Sequence, residues 1–302
     1  AFYTGPRIGG LLNATLGNAA ELIITLVAIN AGLLDLVKAS ITGSIIGNLL
    51  LVMGLSMVVG GIKHGTQSFD RRHASNNAIL LILAILALII PSFFSGSIGD
   101  EHSIGVEALS LGVAVVMMAL YVLGIIYSLK AARSPITHET TVEPHHKPSM
   151  TVVQSIVLLA AATIGVVLLS ELLVGEIEHV TENLGLSEFF LGIILVPIIG
   201  NVAEHLVAVQ VALRNKMELS VEIAVSSSLQ IALFVAPLLV FLSLAMGNPL
   251  TLIFNPFELI ALGAGVIISA FVSLDGESNW LEGAALLAIY LMLGLSFFLL
   301  PF

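Results

Sequence analysis

Long apolar runs separated by short polar clusters dominate the chain. With about 20 consecutive apolar residues taken as one bilayer crossing, the pattern predicts nine helical spans. They fall at roughly 8–31, 37–61, 75–92, 104–130, 151–175, 186–213, 219–247, 256–273 and 280–301. Asn255 followed by Pro256 and Glu258 has the form of an N-cap, a first-turn proline and a capping-box acid, and Asn279 with Glu282 repeats it. Glu258 and Glu282 therefore read as caps rather than ligands. The one clear polar linker is the stretch 134–150, with His138, Glu139, Glu143, His145, His146 and several prolines. It separates an N-terminal half, 1–133, from a C-terminal half, 151–302, and His145 and His146 read as residues of a solvated loop. The expected fold class is all-α, a polytopic membrane protein.

The two halves carry the same motif. GNAAE ends at Glu21 and GNVAE ends at Glu204, and the offset of 183 residues also superimposes Gly9 on Gly192, Asp35 on Glu218 and Ser44 on Ser227. If the nine spans alternate, the Glu21 helix and the Glu204 helix start on opposite sides, which makes the halves inverted repeats. Many secondary transporters use that arrangement to build a substrate site near the bilayer midplane. The span at 151–175 leads the second half, whereas no counterpart precedes Arg7. The repeat thus predicts at least one leading helix outside this sequence.

Composition narrows the class. Hydrophobic residues make up 58% and charged residues 10%, with mean hydropathy +1.09, far from the quarter or so of charged residues in soluble domains. Acids outnumber bases 20 to 10, which excludes nucleic acid as a partner and favours cations. With no cysteine there is no disulfide framework or thiolate metal site. Under alternation Arg7, Lys63, Arg71, Arg72, Lys130, Arg133, Lys147, Arg214 and Lys216 share one side, expected to be cytoplasmic, and Lys38 stands alone opposite. Asp100, Glu101, Glu176, Glu178, Glu182, Glu188, Asp275 and Glu277 are expected on Lys38's side. The chain is an integral membrane protein, of the plasma membrane if prokaryotic and of a vacuolar or other organellar membrane if eukaryotic.

A carboxylate near a bilayer centre costs about 2.5–3.5 kcal/mol on insertion scales, so two of them at matching positions point to use. Glu21 lies about 20 Å along its span from Ile8, well inside a core of about 30 Å. Gly17 and Gly200 sit one turn before the acids, and Pro197 removes a backbone donor, so the helices are expected to loosen there and free carbonyl oxygens. Two carboxylates with nearby oxygens suit calcium, which takes six to eight oxygen ligands. Asn18 and Asn201 lie three residues before the acids on nearly the same face, and Ser44, Asn48, Ser226, Ser227, Ser228 and Gln230 punctuate the spans that follow. Each of them reads equally well as polar glue between helices, while the pairing of Ser44 with Ser227 favours a site role for these two. His205 reads as a packing or proton-gating residue, and Glu171 as a vestibule or helix-end acid.

The segments GNAAELI, ASITGSIIGN, PIIGNVAEH and SSSLQIALFVAP resemble the two repeat regions of the CAX cation/proton exchangers, within the calcium/cation antiporter superfamily. The resemblance covers nearly all of the chain, and the sodium/calcium branch differs where this chain has Gly-Asn. It implies about eleven helices, one plus two inverted groups of five, so that two lie outside this sequence. It also implies calcium and protons competing for Glu21 and Glu204, and a metal-site role for Asn18, Asn201, Ser44, Ser227 and Gln230, beside Gly17 and Gly200. No cofactor is implied: Ca2+ is the transported substrate, H+ the counter-ion and the lipid bilayer the partner, with oligomeric state open. One divalent ion or two protons neutralise two carboxylates, and the pair titrates as a coupled unit. A Na+-driven exchanger and a cation channel remain alternatives, while a chain without cysteine or HExxH offers no intramembrane hydrolase.

Overall fold

The computed structural model describes residues 17–101, 103–130 and 151–300. Eleven helices are used below: α1 (Ala19–Asn30), α2 (Leu34–His64), α3 (Arg71–Ile98), α4 (Ile104–Lys130), α5 (Val152–Gly175), α6 (Ile177–Leu184), α7 (Glu188–Gly200), α8 (Val202–Ala212), α9 (Met217–Met246), α10 (Pro256–Val272) and α11 (Trp280–Leu299). Six are long and apolar enough to cross a membrane alone: α2, α3, α4, α5 continued by α6, α9 and α11. The α7–α8 pair crosses as one bent span, and α1 and α10 are shorter apolar helices. All nine expected spans therefore have a counterpart, the first described only from Gly17 onward. The linker at 134–150 lies outside the described residues.

Local chemistry sets the starts. Asn255 and Asn279 cap α10 and α11, with Glu258 and Glu282 closing capping boxes, and Thr151 with Gln154 does the same for α5. The short helix α6 had no expectation. It ends where Gly185 adopts a left-handed conformation that glycine takes without strain.

The helices span between two ends. Lys63 and His64 reach the Leu213 carbonyl, Gln67 reaches Asn215, and strand β1 (Gln67–Ser68) pairs antiparallel with β2 (Glu277–Ser278). This basic end also holds Arg71, packed beside Gly276, as well as Arg214 and Lys216. Asp275 and Glu277, expected opposite, belong here: β2 joins α10 to α11, and its ladder with β1 fixes it at the end where α2 finishes. At the other end Asn248 bonds the Ile29 carbonyl and Lys38 pairs with Glu101.

The centre is formed by α2 and α9, of whose apolar windows 72% and 61% are buried, against none for α5 at the periphery. They run in opposite directions and match through the repeat: shifting α2 by 183 residues gives 217–247, almost the bounds of α9. Each contains one wide π-helical segment, Gly47–Val52 and Ile231–Val235, again at matching positions. Inverted repetition thus appears as geometry. Tight backbone approaches hold the centre. A Cβ at Gly43 would run into the Ile193 carbonyl and the Pro197 ring of α7, and one at Gly283 of α11 would meet the Gly54 carbonyl of α2.

Candidate metal site between a helix bend and a helix start

The α7 and α8 axes are bent by 60° where Asn201 interrupts them. Pro197 brings no N–H to its turn, and Asn201 folds back so that both its backbone and side-chain N–H groups reach the Pro197 carbonyl, at 3.0 and 3.1 Å. Asn201 has φ −102° and ψ 8°, and Asn18, its repeat partner before α1, has a similar φ −88° and ψ 17°. The break expected at Gly17 and Gly200 thus falls one residue later in both halves. It places Glu21 and Glu204 in the first turns of α1 and α8.

The α7–α8 bend and the start of α1 face each other. A Cβ on Gly17 would lie 2.5 Å from Glu204 Oε1, and one on Gly200 would lie 3.5 Å from Glu21 Cγ. Gly17 therefore leaves room for the acid of the opposite repeat, whereas a Cβ at Gly200 would make only an ordinary contact with Glu21.

Polar side chains from α2 and α9 close the ring. Asn201 Nδ2 donates to Ser44 Oγ at 3.3 Å, and the equivalent pair, Ser227 Oγ and Asn18 Oδ1, lies at 3.2 Å. The single Ser227 hydroxyl proton has Glu204 Oε2, at 2.8 Å, as its nearer acceptor, and Asn18 Nδ2 donates to Gln230 Oε1 at 2.8 Å. Every candidate residue is therefore brought to one place. The sequence reading left Asn48 undecided between glue and site, and it joins them by donating to Ser227 Oγ at 3.1 Å. Asn48 is the second residue of the Gly47–Val52 π segment, and Gln230 immediately precedes the one at Ile231–Val235. Ser226 and Ser228 instead bond the carbonyls of Glu222 and Ala224 on their own helix. Glu171 is exposed on α5, away from the ring.

The acids are not equivalent. Glu204 is half-buried and bonded to Ser227, whereas Glu21 is 3% exposed and its carboxylate oxygens make no hydrogen bond of good geometry, the Asn201 side chain being their polar neighbour. The Asn201 Oδ1 atom is also buried and unpartnered, as is Nε2 of His205 beside Glu204. Buried polar atoms without partners are rare because each loses its hydration for nothing. Among the described residues no three acidic or histidine side chains cluster for a metal. The oxygens on offer come instead from two carboxylates, amides and hydroxyls. That donor set suits a hard cation such as calcium, with water completing its shell, and not the sulfur and imidazole ligation of structural zinc.

A polytopic fold of inverted halves, crossing at a buried pair of acids, defines an ion-exchanger type of membrane protein. The chain belongs to the sodium/calcium exchanger protein family, whose pattern matches residues 3–130 and 154–299. It is 45% identical over 323 residues to a Ca(2+)/H(+) antiporter of Aphanothece halophytica, covering 100% of this chain and 84% of that one. It is 45% identical over 309 residues to the Ca(2+)/H(+) antiporter ChaA of Bacillus subtilis, covering 99% and 86%. The vacuolar calcium ion transporter of Schizosaccharomyces pombe is 37% identical over 304 residues, with 100% and 74% covered. Among solved structures, native YfkE superposes with a TM-score of 0.85 at 44% identity, over 97% of this chain and 84% of that chain. The H+/Ca2+ exchanger CAX superposes with a TM-score of 0.66 at 17% identity, over 98% and 86%, and shares the fold.

Proposed function

We propose that this protein exchanges Ca2+ for H+ across a membrane by alternating access at the Glu21–Glu204 site, with its basic end in the cytoplasm. The observation that carries the reading is the buried Glu21 carboxylate facing Glu204 where the start of α1 meets the α7–α8 bend. The names of the relatives, Ca(2+)/H(+) antiporters at 45% identity, agree with it.

The mechanism follows from charge. Two ionised carboxylates in an enclosed place repel each other and lack hydration, so the empty dianion is the state least able to rearrange. One Ca2+ or two protons neutralises the pair, and Asn18, Asn201, Ser44, Ser227 and Gln230 supply neutral oxygens around it. The ion-loaded site and the protonated site can each turn from one side to the other, and coupling results because the empty one does not. Movement falls to α1 and α7–α8, which carry the acids, against the enclosed pair α2 and α9.

The test is calcium flux in proteoliposomes under an imposed pH gradient, repeated with a sodium gradient and with an uncoupler, for the parent protein, Glu21→Gln and Glu204→Gln. Flux that follows the proton gradient and disappears in both variants is expected. Sodium-driven flux would move the chain to a sodium-coupled exchanger, and flux indifferent to both gradients would make it a channel.

A further inference from the structure

Lys38 is the one lysine or arginine among the described residues at its end of the molecule, and it is 8% exposed. Its Nζ lies 2.8 Å from Asp35 Oδ1 and 2.9 Å from Glu101 Oε1, and Glu101 Oε1 also accepts from Thr251 Oγ1 at 3.1 Å. A cavity of about 790 Å³ opens at this place, lined by Lys38 together with the carboxylates of Asp35, Glu101, Glu188 and Glu258. Glu258 is fully used: Thr42 and the Asn255 N–H hold its two oxygens.

Stability alone is a weak reason for this lysine. Asp35 is 83% and Glu101 40% exposed at the side chain, and ion pairs to such partners contribute about 0–1 kcal/mol. Its position is more informative. Calcium sits 2.3–2.6 Å from its oxygen ligands, so two carboxylate oxygens within 3 Å of Nζ are a few tenths of an ångström from gripping a divalent ion at that point. Thr251 Oγ1 and water from the cavity would supply further oxygens. The ammonium occupies the place where the acids would otherwise retain the cargo.

We propose that Lys38 is a tethered cation that keeps the acidic vestibule, on the side opposite the basic end, from holding calcium released by the transport site. It is a specificity-determining residue acting through Asp35 and Glu101, and it lowers the affinity of the release side. This rests on the exchanger reading only for its effect on transport.

The binding arm uses Glu21→Gln/Glu204→Gln protein, in which the transport site is disabled, and calorimetry with Ca2+ alone. Adding Lys38→Met should create one calcium site absent from the parent, and adding Glu101→Gln as well should remove it. In the transport arm, Lys38→Met in the otherwise native protein should be inhibited by release-side Ca2+ at a concentration at least tenfold lower than native. Half-saturation on the uptake side should stay within twofold, and Lys38→Arg should behave as native. No new site in the binding arm, or a site that survives Glu101→Gln, overturns the proposal whatever the transport result. A new site with no flux in the native protein would instead count against the exchanger reading. Should Lys38→Met fail to fold, Lys38→Gln with the same two readouts decides, and unchanged binding in it overturns the proposal equally.

Discussion

Replacing Glu21 by glutamine should end exchange and at the same time stabilise the cation-free protein. Both Glu21 oxygens are buried without a hydrogen bond of good geometry, and an unsatisfied buried polar group costs about 1–3 kcal/mol, more when charged. Glutamine keeps the shape and drops the charge. A gain of about 1–3 kcal/mol corresponds to a rise of roughly 2–6 °C in apparent melting temperature for a chain of this size. The difference should be widest at alkaline pH, where the native pair is ionised. It should close on acidification, because a protonated Glu21 is as neutral as glutamine. Calcium reverses the order: at 100 times the dissociation constant a ligand stabilises its protein by about 2.7 kcal/mol, and only the native site receives it. Thermal unfolding in detergent, with chelator or with calcium at several pH values, reads all of this. A variant less stable than native in alkaline chelator, or one that gains as much from calcium, would refute the reasoning.

Two further expectations come from glycines. Gly17→Ala puts a methyl group 2.5 Å from Glu204 Oε1, whereas a Cβ at Gly47 has nothing within 4 Å. Displacing a ligand by about 1 Å is enough for losses of the order of 10²-fold, so Gly17→Ala should lower calcium flux at least tenfold while Gly47→Ala stays within about twofold, and equal effects would remove the steric account. Gly43→Ala would drive a methyl group against Ile193 and Pro197. Overpacking of that kind costs about 1–3 kcal/mol, read as a lower melting temperature, and an unchanged value would mean that α7 yields freely against α2.

The parts legible in the sequence are those that rest on one-dimensional signals. Apolar length gave the nine spans, the Asn-Pro-x-Glu and Asn-x-x-Glu patterns gave the caps of α10 and α11, and the offset of 183 gave the pairing of Glu21 with Glu204. Asp275 and Glu277 were misplaced because their loop was read by its charge, when the chain direction through α10 and the β1–β2 ladder decides the side. Asn48 stayed undecided because an asparagine between apolar neighbours has the same appearance as helix glue. Only the fold shows that its Nδ2 meets Ser227. The approach of Gly17 to Glu204 was also out of reach, since that glycine leaves room for an acid of the other half and not of its own helix.

The repeats match Ser44 with Ser227 and Asn18 with Asn201, and the bonds Asn201–Ser44 and Ser227–Asn18 respect that match. The Ser227–Glu204 bond has no such twin, since Glu21 stands free of Ser44. In inverted repeats the second access state arises when the halves exchange conformations, so the bond missing here should form there. A structure of the same chain trapped open to the opposite end should place Ser44 Oγ within hydrogen-bond distance of a Glu21 oxygen and release Glu204 from Ser227. The acid that is bare would then alternate with the side of access, and the ion would always leave from beside the carboxylate that a serine has just claimed. A Ser227–Glu204 bond intact in both states would show that the two acids have fixed, different roles and that the halves do not exchange.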